Sequence, residues 1–221
     1  MTQSTKPLII LTGPTAAGKT KLSIALAKAV NGEIISADSM QVYRYMNIGS
    51  AKIQPKEMQG VKHYLVNILE PTQDFNIVLF QKLAKQAITE IYAKGKVPIL
   101  VGGTGFYIQS VLYDIDFQES AEDAALRVEL EQLAQEKGAA FLHDLLKECD
   151  PAAAQEIHEN NIKRVIRAIE FHRQTGRKIS EHNAAEREKK PAYDSHYFVL
   201  TDQRDRLYEA IDRRVDNMIA E

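Results

Sequence analysis

Residues 8–20 read Leu8-Ile9-Ile10-Leu11-Thr12-Gly13-Pro14-Thr15-Ala16-Ala17-Gly18-Lys19-Thr20. The apolar residues at the beginning predict a short buried strand. Residues 13–20 fit the pattern G-x-x-x-x-G-K-[ST], which forms a phosphate-binding loop between a strand and a helix. Its glycines let the backbone turn tightly, so that successive N–H groups point at one anion beside the positive end of the helix. We therefore expect a polyphosphate to be held by Gly13, Pro14, Thr15, Ala16, Ala17, Gly18, Lys19 and Thr20.

Two side chains of this loop have separate tasks. Lys19 adds a mobile positive charge, and the Thr20 hydroxyl is the expected ligand of Mg²⁺. The alternative is a glycine-rich turn that binds nothing. Nucleotide and ATP binding are the usual functions of such a loop, but the motif does not establish that this chain uses ATP.

The composition is that of a globular protein, with 44% hydrophobic and 26% charged residues among 221. No apolar run reaches membrane-spanning length, and residues 1–7 are short and polar. The single cysteine, Cys149, excludes an internal disulfide and has no partner at a zinc-ligand spacing. These features predict a cytoplasmic protein without a membrane segment.

Charge is distributed unevenly along the chain, although the net charge is only −2. Residues 114–150 contain eleven acidic and three basic residues, a balance of −8, whereas residues 163–190 contain nine basic and four acidic residues, a balance of +5. The second segment is where an anionic polymer would be held. The alternative is an ordinary solvated helix face.

Residues 33–37 are rich in residues that favour β structure and predict a strand that ends at Asp38-Ser39-Met40-Gln41-Val42-Tyr43-Arg44. In an open parallel sheet, ligands bind in the crevice at the carboxyl ends of the strands. Asp38 should therefore face the same crevice as Lys19. The alternative for Asp38 is a helix cap or a turn residue.

The run from Val97 to Val101 predicts a buried strand that ends in Gly102-Gly103-Thr104-Gly105. Nucleoside-triphosphate hydrolases usually place an acidic residue at the end of such a strand, where it holds magnesium and orients the attacking water. Here glycines let the backbone approach a ligand, and Thr104 can donate a hydrogen bond to an anionic oxygen. The alternative is a plain tight turn.

Further elements follow from periodicity. Residues 63–68 predict a strand and residues 76–94 a helix. From residue 114 the alternation of strand and helix stops. Ser120 and Asp123 have the spacing of a capping box, Asp150-Pro151 begins another helix, and Asn161 can cap a helix that buries Ile162, Val165, Ile166 and Ile169. Four cations lie off that apolar stripe: Lys163, Arg164, Arg167 and Arg173.

Residues 181–190 are polar and look loop-like or frayed, residues 196–200 return to a strand pattern, and residues 204–221 predict a final helix. The fold prediction is an α/β protein with a P-loop NTPase-like parallel sheet flanked by helices and an inserted all-helical domain. Residues 1–113 and 195–221 form the discontinuous core, and residues 114–194 form the insertion.

Four blocks of the chain resemble the tRNA dimethylallyltransferase family, also called tRNA isopentenyltransferases, of the bacterial type. They are residues 13–20, 38–44, 101–107 and 163–170, and a fifth block joins residues 204–208 with residues 213–216. The blocks cover nearly the whole chain in the family's order, and residues 38–44 are far more specific than the phosphate loop. Members of the family usually continue well past the position of Glu221, so the resemblance implies a C-terminally truncated chain.

The resemblance implies transfer of a dimethylallyl group from dimethylallyl diphosphate to the exocyclic N6 amine of the adenosine just 3′ of a tRNA anticodon. A diphosphate leaving group needs an anion cradle with Mg²⁺ and no attacking water, which agrees with the missing acidic residue after Val101. By resemblance, Asp38 is the general base, and Thr104 and Arg204 hydrogen-bond the diphosphate.

The resemblance also implies which residues contact tRNA. The flipped-out adenosine would meet Gln41 and the residues around it, Asp38, Ser39 and Met40, and Thr104 is a further tRNA contact. The anticodon stem-loop would meet Arg127, Asn160, Asn161, Ile162, Lys163 and Arg164. The helical insertion would thus bind tRNA. The expected partners are tRNA and dimethylallyl diphosphate, and we expect a monomer.

Two other functions fit parts of the pattern. A small-molecule or nucleotide kinase also combines a phosphate loop with a short α/β core and a helical insertion. A non-catalytic RNA-binding module would bind an anticodon stem-loop irrespective of Asp38, Lys19 or magnesium.

Overall fold

A computed structural model of the chain describes residues 6–117 and 124–220. The chain divides into two units, one formed by Met1–Ile115 with Pro191–Glu221 and the other by Asp116–Lys190. The predicted boundaries at residues 114 and 194 lie within a few residues of this division. The predicted capping box, Ser120 with Asp123, lies outside the described residues.

The first unit is built on a parallel sheet with the strand order β3-β2-β4-β1-β5. The strands are β1 (Pro7–Thr12), β2 (Gly32–Ser36), β3 (His63–Tyr64), β4 (Val97–Gly102) and β5 (Asp194–Val199). Because every strand runs in the same direction, all carboxyl ends lie at one edge of the sheet. The segments that follow β1, β2 and β4 therefore begin at that edge.

Helices fill the connections and form the second unit. In chain order they are α1 (Lys19–Ala29), α2 (Ile77–Ala93), α3 (Gly105–Leu112), α4 (Ala124–Lys137), α5 (Ala139–Cys149), α6 (Pro151–Glu156), α7 (Ile162–Thr175), α8 (Ile179–Arg187) and α9 (Arg204–Ala220). The first unit contains α1, α2, α3 and α9, and the second contains α4 to α8. Among the described residues, no helix is both long and apolar enough to cross a membrane.

The central strands are buried on both faces, as expected for a parallel sheet with helices on each side. Successive side chains alternate between the faces. Leu8 and Ile10 of β1 pack with Phe80 of α2, whereas Ile9 between them packs with Ile24 of α1. The apolar run of residues 8–11 thus supplies both halves of the core.

The second unit has its own core, to which Leu130, Leu142, Leu146, Val165 and Ile169 contribute. As predicted, the cations Lys163, Arg164, Arg167 and Arg173 lie on the exposed side of α7. The predicted cap at Asp150 is confirmed, because its Oδ1 accepts from the Ala153 amide at 3.0 Å at the start of α6.

Two local predictions were wrong, and a third, the cap at Asn161, is confirmed in position but not in its side-chain hydrogen bond. The strand predicted over residues 63–68 ends at Tyr64, because Leu65 and Asn67 have left-handed backbone angles (φ 62° and 56°) that no extended strand allows. The side chain of Asn161 makes no capping hydrogen bond, although Asn161 precedes α7.

The segment expected to be loop-like after residue 180 is helical as far as Arg187. Its start is fixed by the buried Asp150 carboxylate, which accepts from the Ser180 amide at 2.9 Å and from the Ser180 hydroxyl at 2.6 Å. The His182 ring also lies 5.1 Å from the Phe171 ring. Tertiary contacts therefore stabilise a helix whose polar sequence shows no apolar stripe.

An ion cluster at the start of β2 has a consequence for stability. The Glu33 carboxylate is only 4% exposed and accepts from Lys96 Nζ at 2.8 Å, Tyr64 Oη at 2.9 Å and Lys94 Nζ at 3.2 Å. Burial alone would raise the pKa of Glu33, but these hydrogen bonds outweigh burial and hold the pKa below its ordinary value near 4.5.

We predict that Glu33→Gln lowers the free energy of unfolding at pH 7 by about 1–3 kcal/mol. A carboxyl whose pKa is lower in the folded state stabilises the fold above its unfolded pKa. That contribution is lost as the pH falls through the folded pKa. The difference between the variant and the unmodified chain should therefore shrink below about pH 4.5. Urea unfolding followed by circular dichroism at pH 7 and about pH 3 measures both effects.

The matched control is Glu70→Gln. Glu70 pairs with Arg44 at 2.8 Å, but their side chains are 43% and 51% exposed, so its loss should cost less than about 1 kcal/mol. Equal losses at Glu33 and Glu70, or a Glu33 effect that does not change on acidification, would contradict the prediction.

Candidate functional site

Four chain segments meet at the carboxyl edge of the sheet in the first unit. The Ala37 amide donates to the Val101 carbonyl at 2.7 Å, and the Leu200 amide donates to the Thr12 carbonyl at 2.8 Å. The first bond places Asp38 beside the end of β4, and the second places the segment before α9 beside the phosphate loop. The edge therefore gathers most of the residues that the sequence singled out.

Two glycines permit this close approach. A Cβ atom on Gly102 would lie 2.6 Å from the Ala37 carbonyl carbon and 2.8 Å from the Ala37 side chain. A Cβ atom on Gly13 would lie 2.5 Å from the Leu200 carbonyl oxygen, and the φ of Gly13 is 147°. Any other residue at these positions would push neighbouring segments apart.

The loop before α1 has the geometry of an anion cradle. Gly18 is left-handed with φ 83°, and no side chain caps the amino end of α1. Its first N–H groups are therefore open to an anion. Lys19 folds back over the loop, where Nζ donates to the Gly13 carbonyl at 2.9 Å and the Pro14 carbonyl at 2.8 Å. The ammonium thus lies over the turn that would hold phosphate.

Lys19 shares its electrostatic environment with two other charges. Burial lowers the pKa of Lys19, the positive charge of Arg214 lowers it further, and the negative charge of Asp38 acts in the opposite direction. Charges perturb a pKa in this way only at short range, so the charges of Asp38 and Arg214 lie in the neighbourhood of Lys19.

Asp38 is half-buried and forms a turn. Its Oδ1 accepts from the Met40 amide at 2.8 Å and the Gln41 amide at 3.2 Å. Among the described residues, none donates a hydrogen bond to Oδ2. The turn interpretation and the base interpretation are thus compatible, because the turn fixes one oxygen and leaves the other available for a proton.

Thr104 occupies the residue before α3, and its carbonyl accepts from the Tyr107 amide at 3.0 Å. Its hydroxyl makes no capping hydrogen bond. The Tyr107 ring stacks on Phe80 at 4.3 Å. Burial raises the pKa of Tyr107, and Tyr43 and Asp38 raise it further. The stacked pair of Tyr107 and Phe80, to which the sequence analysis assigned no role, therefore lies in the neighbourhood of Asp38.

Arg204 begins α9 and is exposed. Its Nε and Nη2 atoms donate to the Tyr208 hydroxyl at 3.1 and 3.0 Å, and its guanidinium lies 5.4 Å from the centre of the Tyr208 ring. The structure therefore holds Arg204 against its own helix. Its role toward diphosphate stays a prediction.

The residues present fit a magnesium ion that has few protein ligands. The described parts of the chain contain no group of three or more His, Cys, Asp or Glu that could hold a metal. The exposed Thr20 hydroxyl is an oxygen donor of the kind that Mg²⁺ prefers. Mg²⁺ typically takes its remaining ligands from phosphate oxygens and water.

The predicted tRNA contacts outside this edge lie in the second unit. Asn160, Asn161, Lys163 and Arg164 are exposed at the beginning of α7, and Ile162 is half-buried. Arg127 donates through Nε and Nη2 to the buried Glu170 carboxylate at 2.9 and 2.8 Å. The guanidinium of Arg127 is thus oriented by a fixed carboxylate, while its side chain stays 49% exposed.

Two cations of the first unit were missed by the sequence analysis. Arg214 lies in a block that was recognised, but no spacing distinguished it from its neighbours. Lys52 is only 3% exposed and donates to Asn67 Oδ1 at 2.8 Å, Asn47 Oδ1 at 3.2 Å and the Tyr43 carbonyl. A lone lysine in a polar run normally indicates an exposed side chain, so no sequence signal pointed to it.

We predict that Gly102→Ala lowers the free energy of unfolding by about 1–3 kcal/mol, because the new methyl group overlaps Ala37. Urea unfolding measures the loss. The matched control is Gly105→Ala, where an added Cβ has no heavy atom within 4 Å. That variant should stay within about 0.5 kcal/mol of the unmodified chain. A Gly102 variant as stable as the Gly105 variant would contradict the close approach.

Comparisons with known proteins agree with the sequence blocks. Residues 41–221 match the family model described as IPP transferase. The tRNA dimethylallyltransferase of Lachnoclostridium phytofermentans is 64% identical over 214 residues, which cover 97% of this chain and 68% of that protein. The tRNA dimethylallyltransferase of Carboxydothermus hydrogenoformans is 51% identical, over 96% of this chain and 68% of that one.

Solved structures give the same result. The tRNA isopentenylpyrophosphate transferase of Bacillus halodurans matches with a TM-score of 0.66 at 45% identity, covering 97% of this chain and 66% of that one. A eukaryotic dimethylallyltransferase acting on tRNA matches with a TM-score of 0.87 at 32% identity, covering 97% of this chain and 53% of that one. The predicted P-loop NTPase-like sheet flanked by helices is confirmed.

Proposed function

The chain belongs to the IPP transferase family, and on this basis we propose that it transfers a dimethylallyl group from dimethylallyl diphosphate to tRNA. The acceptor is the exocyclic N6 amine of the adenosine 3′ of the anticodon, and diphosphate is released. One observation supports this proposal most directly. The phosphate loop and the Asp38 carboxylate lie at the same sheet edge, where β4 is followed by glycine and threonine, and one Asp38 oxygen is available to accept a proton.

The leaving group determines what the loop must do. The bond between C1 of the dimethylallyl group and the diphosphate oxygen breaks, and its electron pair leaves with the diphosphate. The open N–H groups of α1 and the Lys19 ammonium stabilise that developing negative charge. The Thr104 hydroxyl can donate a further hydrogen bond. Mg²⁺, held by Thr20, would neutralise part of the diphosphate charge.

The acceptor determines what Asp38 must do. An adenine amine is a poor nucleophile and loses a proton when the C1–N6 bond forms. Asp38 accepts this proton through Oδ2, while the Met40 and Gln41 amides hold Oδ1. Gln41, Met40 and Ser39 follow Asp38 directly and are proposed to contact the adenosine.

The kinase alternative is not favoured. The matched proteins are named as transferases of a prenyl group to tRNA. In addition, β4 ends in Gly102 and is followed by Gly103 and Thr104 rather than by the acidic residue of nucleoside-triphosphate hydrolases.

We predict that Asp38→Asn lowers the rate of transfer from labelled dimethylallyl diphosphate to an anticodon stem-loop by about a hundredfold to ten-thousandfold. The asparagine oxygen still accepts from the Met40 and Gln41 amides, so the turn and the binding of dimethylallyl diphosphate should persist. Radiolabel transfer measures the first quantity, and equilibrium binding measures the second. Unchanged transfer would remove Asp38 as the base.

The exposed cations of α7 support the RNA-binding part of the proposal. We predict that Lys163→Ala and Arg164→Ala each weaken binding of an anticodon stem-loop and reduce the slope of log affinity against log salt by about 1. Filter binding at several salt concentrations measures this slope.

Lys147→Ala serves as the control, because this exposed lysine lies on α5 outside the predicted tRNA contacts. The control should leave the slope unchanged. If neither α7 substitution alters the slope of log affinity against log salt, α7 is an ordinary solvated helix face that does not bind RNA.

A further inference from the structure

Lys52 is a buried lysine of the first unit that binds three oxygens of the chain. Its side chain donates through Nζ to Asn67 Oδ1 at 2.8 Å, to Asn47 Oδ1 at 3.2 Å and to the Tyr43 carbonyl. Within residues 6–117 and 124–220, no carboxylate forms an ion pair with it. An ammonium has three N–H donors, so these three oxygens use all of them.

Stability alone does not explain a lysine at this position. Moving an ammonium out of water costs free energy, and neutral oxygens offset that cost less well than a carboxylate would. An apolar side chain of similar length would fill the same volume without that cost. The lysine therefore indicates that the segments it joins need a defined geometry.

Two of the three acceptors belong to segments that are also bonded to each other. Residues 41–44 lie along residues 67–69, where backbone hydrogen bonds of 2.7 to 3.1 Å hold them together. Lys52 adds a side-chain link between the two segments, because it binds Tyr43 in one and Asn67 in the other. The segment that follows the proposed base is thus anchored to a buried charge.

A series of hydrogen bonds leads from Lys52 to Asp38. Beyond the bond between Lys52 Nζ and Asn67 Oδ1, the Asn67 amide donates to the Gln41 carbonyl at 3.1 Å. The Gln41 amide in turn donates to Asp38 Oδ1 at 3.2 Å. The two oxygens of a carboxylate share one plane, so whatever fixes Oδ1 also determines where Oδ2 points.

We propose that Lys52 is a positioning residue, which fixes the turn of residues 38–41 so that Asp38 Oδ2 meets the amine of the acceptor adenosine. The inference rests on the proposed function, because that function makes Asp38 the base. Lys52 acts through Asn67 and Gln41, since its own donors are used and its side chain is buried. Its loss should therefore appear in the rate of transfer and not in the binding of diphosphate.

The first test is the single-turnover rate of dimethylallyl transfer to an anticodon stem-loop, at saturating concentrations of both substrates. Lys52→Met removes the ammonium and keeps an unbranched side chain of similar length. The rate should fall about tenfold to hundredfold, the loss expected when a reacting group is misplaced. Affinity for inorganic diphosphate with Mg²⁺ should stay within about twofold, because none of the hydrogen bonds of Lys52 reaches residues 13–20. The stoichiometry of that binding gives the folded fraction.

Two controls separate positioning from stability. Lys56→Met removes an exposed lysine from the same segment, and Glu33→Gln weakens the first unit at the start of β2, away from Asp38. In both variants the rate per folded molecule should stay within about twofold of the unmodified chain. A loss in either control as large as that of Lys52→Met would refute a specific role for Lys52.

Asn67→Gly provides a second variant in case Lys52→Met does not fold. Asn67 is exposed, and glycine adopts its φ of 56° without strain. The substitution removes Oδ1 but keeps the amide that bonds Gln41, and it should also lower the rate about tenfold. Since both changes break the same link, the double variant should be no slower than the slower single variant. A folded variant of either kind that transfers at the unmodified rate would overturn the inference.

Amide hydrogen exchange separates this inference from the proposed function, because it needs no substrate. Lys52→Met should speed exchange of the Met40 and Gln41 amides about tenfold, whereas Lys56→Met should leave it unchanged. Unchanged exchange in Lys52→Met would contradict the inference. Faster exchange, combined with an unmodified chain that transfers no dimethylallyl group, would instead contradict the reaction and leave the link from Lys52 to Asp38 in place.

Discussion

The close contact between Gly102 and Ala37 determines where the chemistry can take place. Here the backbones after β2 and at the end of β4 approach each other within a distance that excludes a Cβ atom. The Ala37 amide bonds the Val101 carbonyl at the same point. Asp38 is the next residue, so its position follows from this contact. A similar contact between Gly13 and Leu200 brings α9 to the phosphate loop.

These contacts explain why the charges lie where they do. Burial and nearby like charge disfavour the ammonium of Lys19, yet the loop carbonyls of Gly13 and Pro14 hold it in place. Stability is supplied elsewhere, by the two faces of the sheet packed on α1 and α2. The edge of the sheet can therefore hold polar groups that are only partly satisfied, as functional sites often do.

Much of this arrangement could be predicted from the sequence. The phosphate loop has a fixed spacing, and the alternation of strands and helices followed by a purely helical segment predicts both the sheet and the insertion. Asp38 could be placed because strand ends share an edge in a parallel sheet. These signals are local or periodic, so a single sequence reveals them.

The remainder depends on contacts between distant residues. The end of β3 is set by left-handed residues at Leu65 and Asn67, neither of which is glycine. Helix α8 is fixed by Asp150, thirty residues before Ser180. Arg214 meets Ser50 across most of the chain. The spacing of residues along the chain does not identify such pairs. Tertiary contacts also override the secondary-structure propensity of the local sequence.

The central claim is that this site transfers a prenyl group and does not transfer phosphate. Its most direct test is mass analysis of nucleosides from an unmodified anticodon stem-loop, after incubation with the protein, Mg²⁺ and dimethylallyl diphosphate. The account predicts that one adenosine gains the mass of a dimethylallyl group and that diphosphate is released in equal amount. Unmodified RNA without released diphosphate, or phosphoryl transfer from ATP in its place, would contradict it.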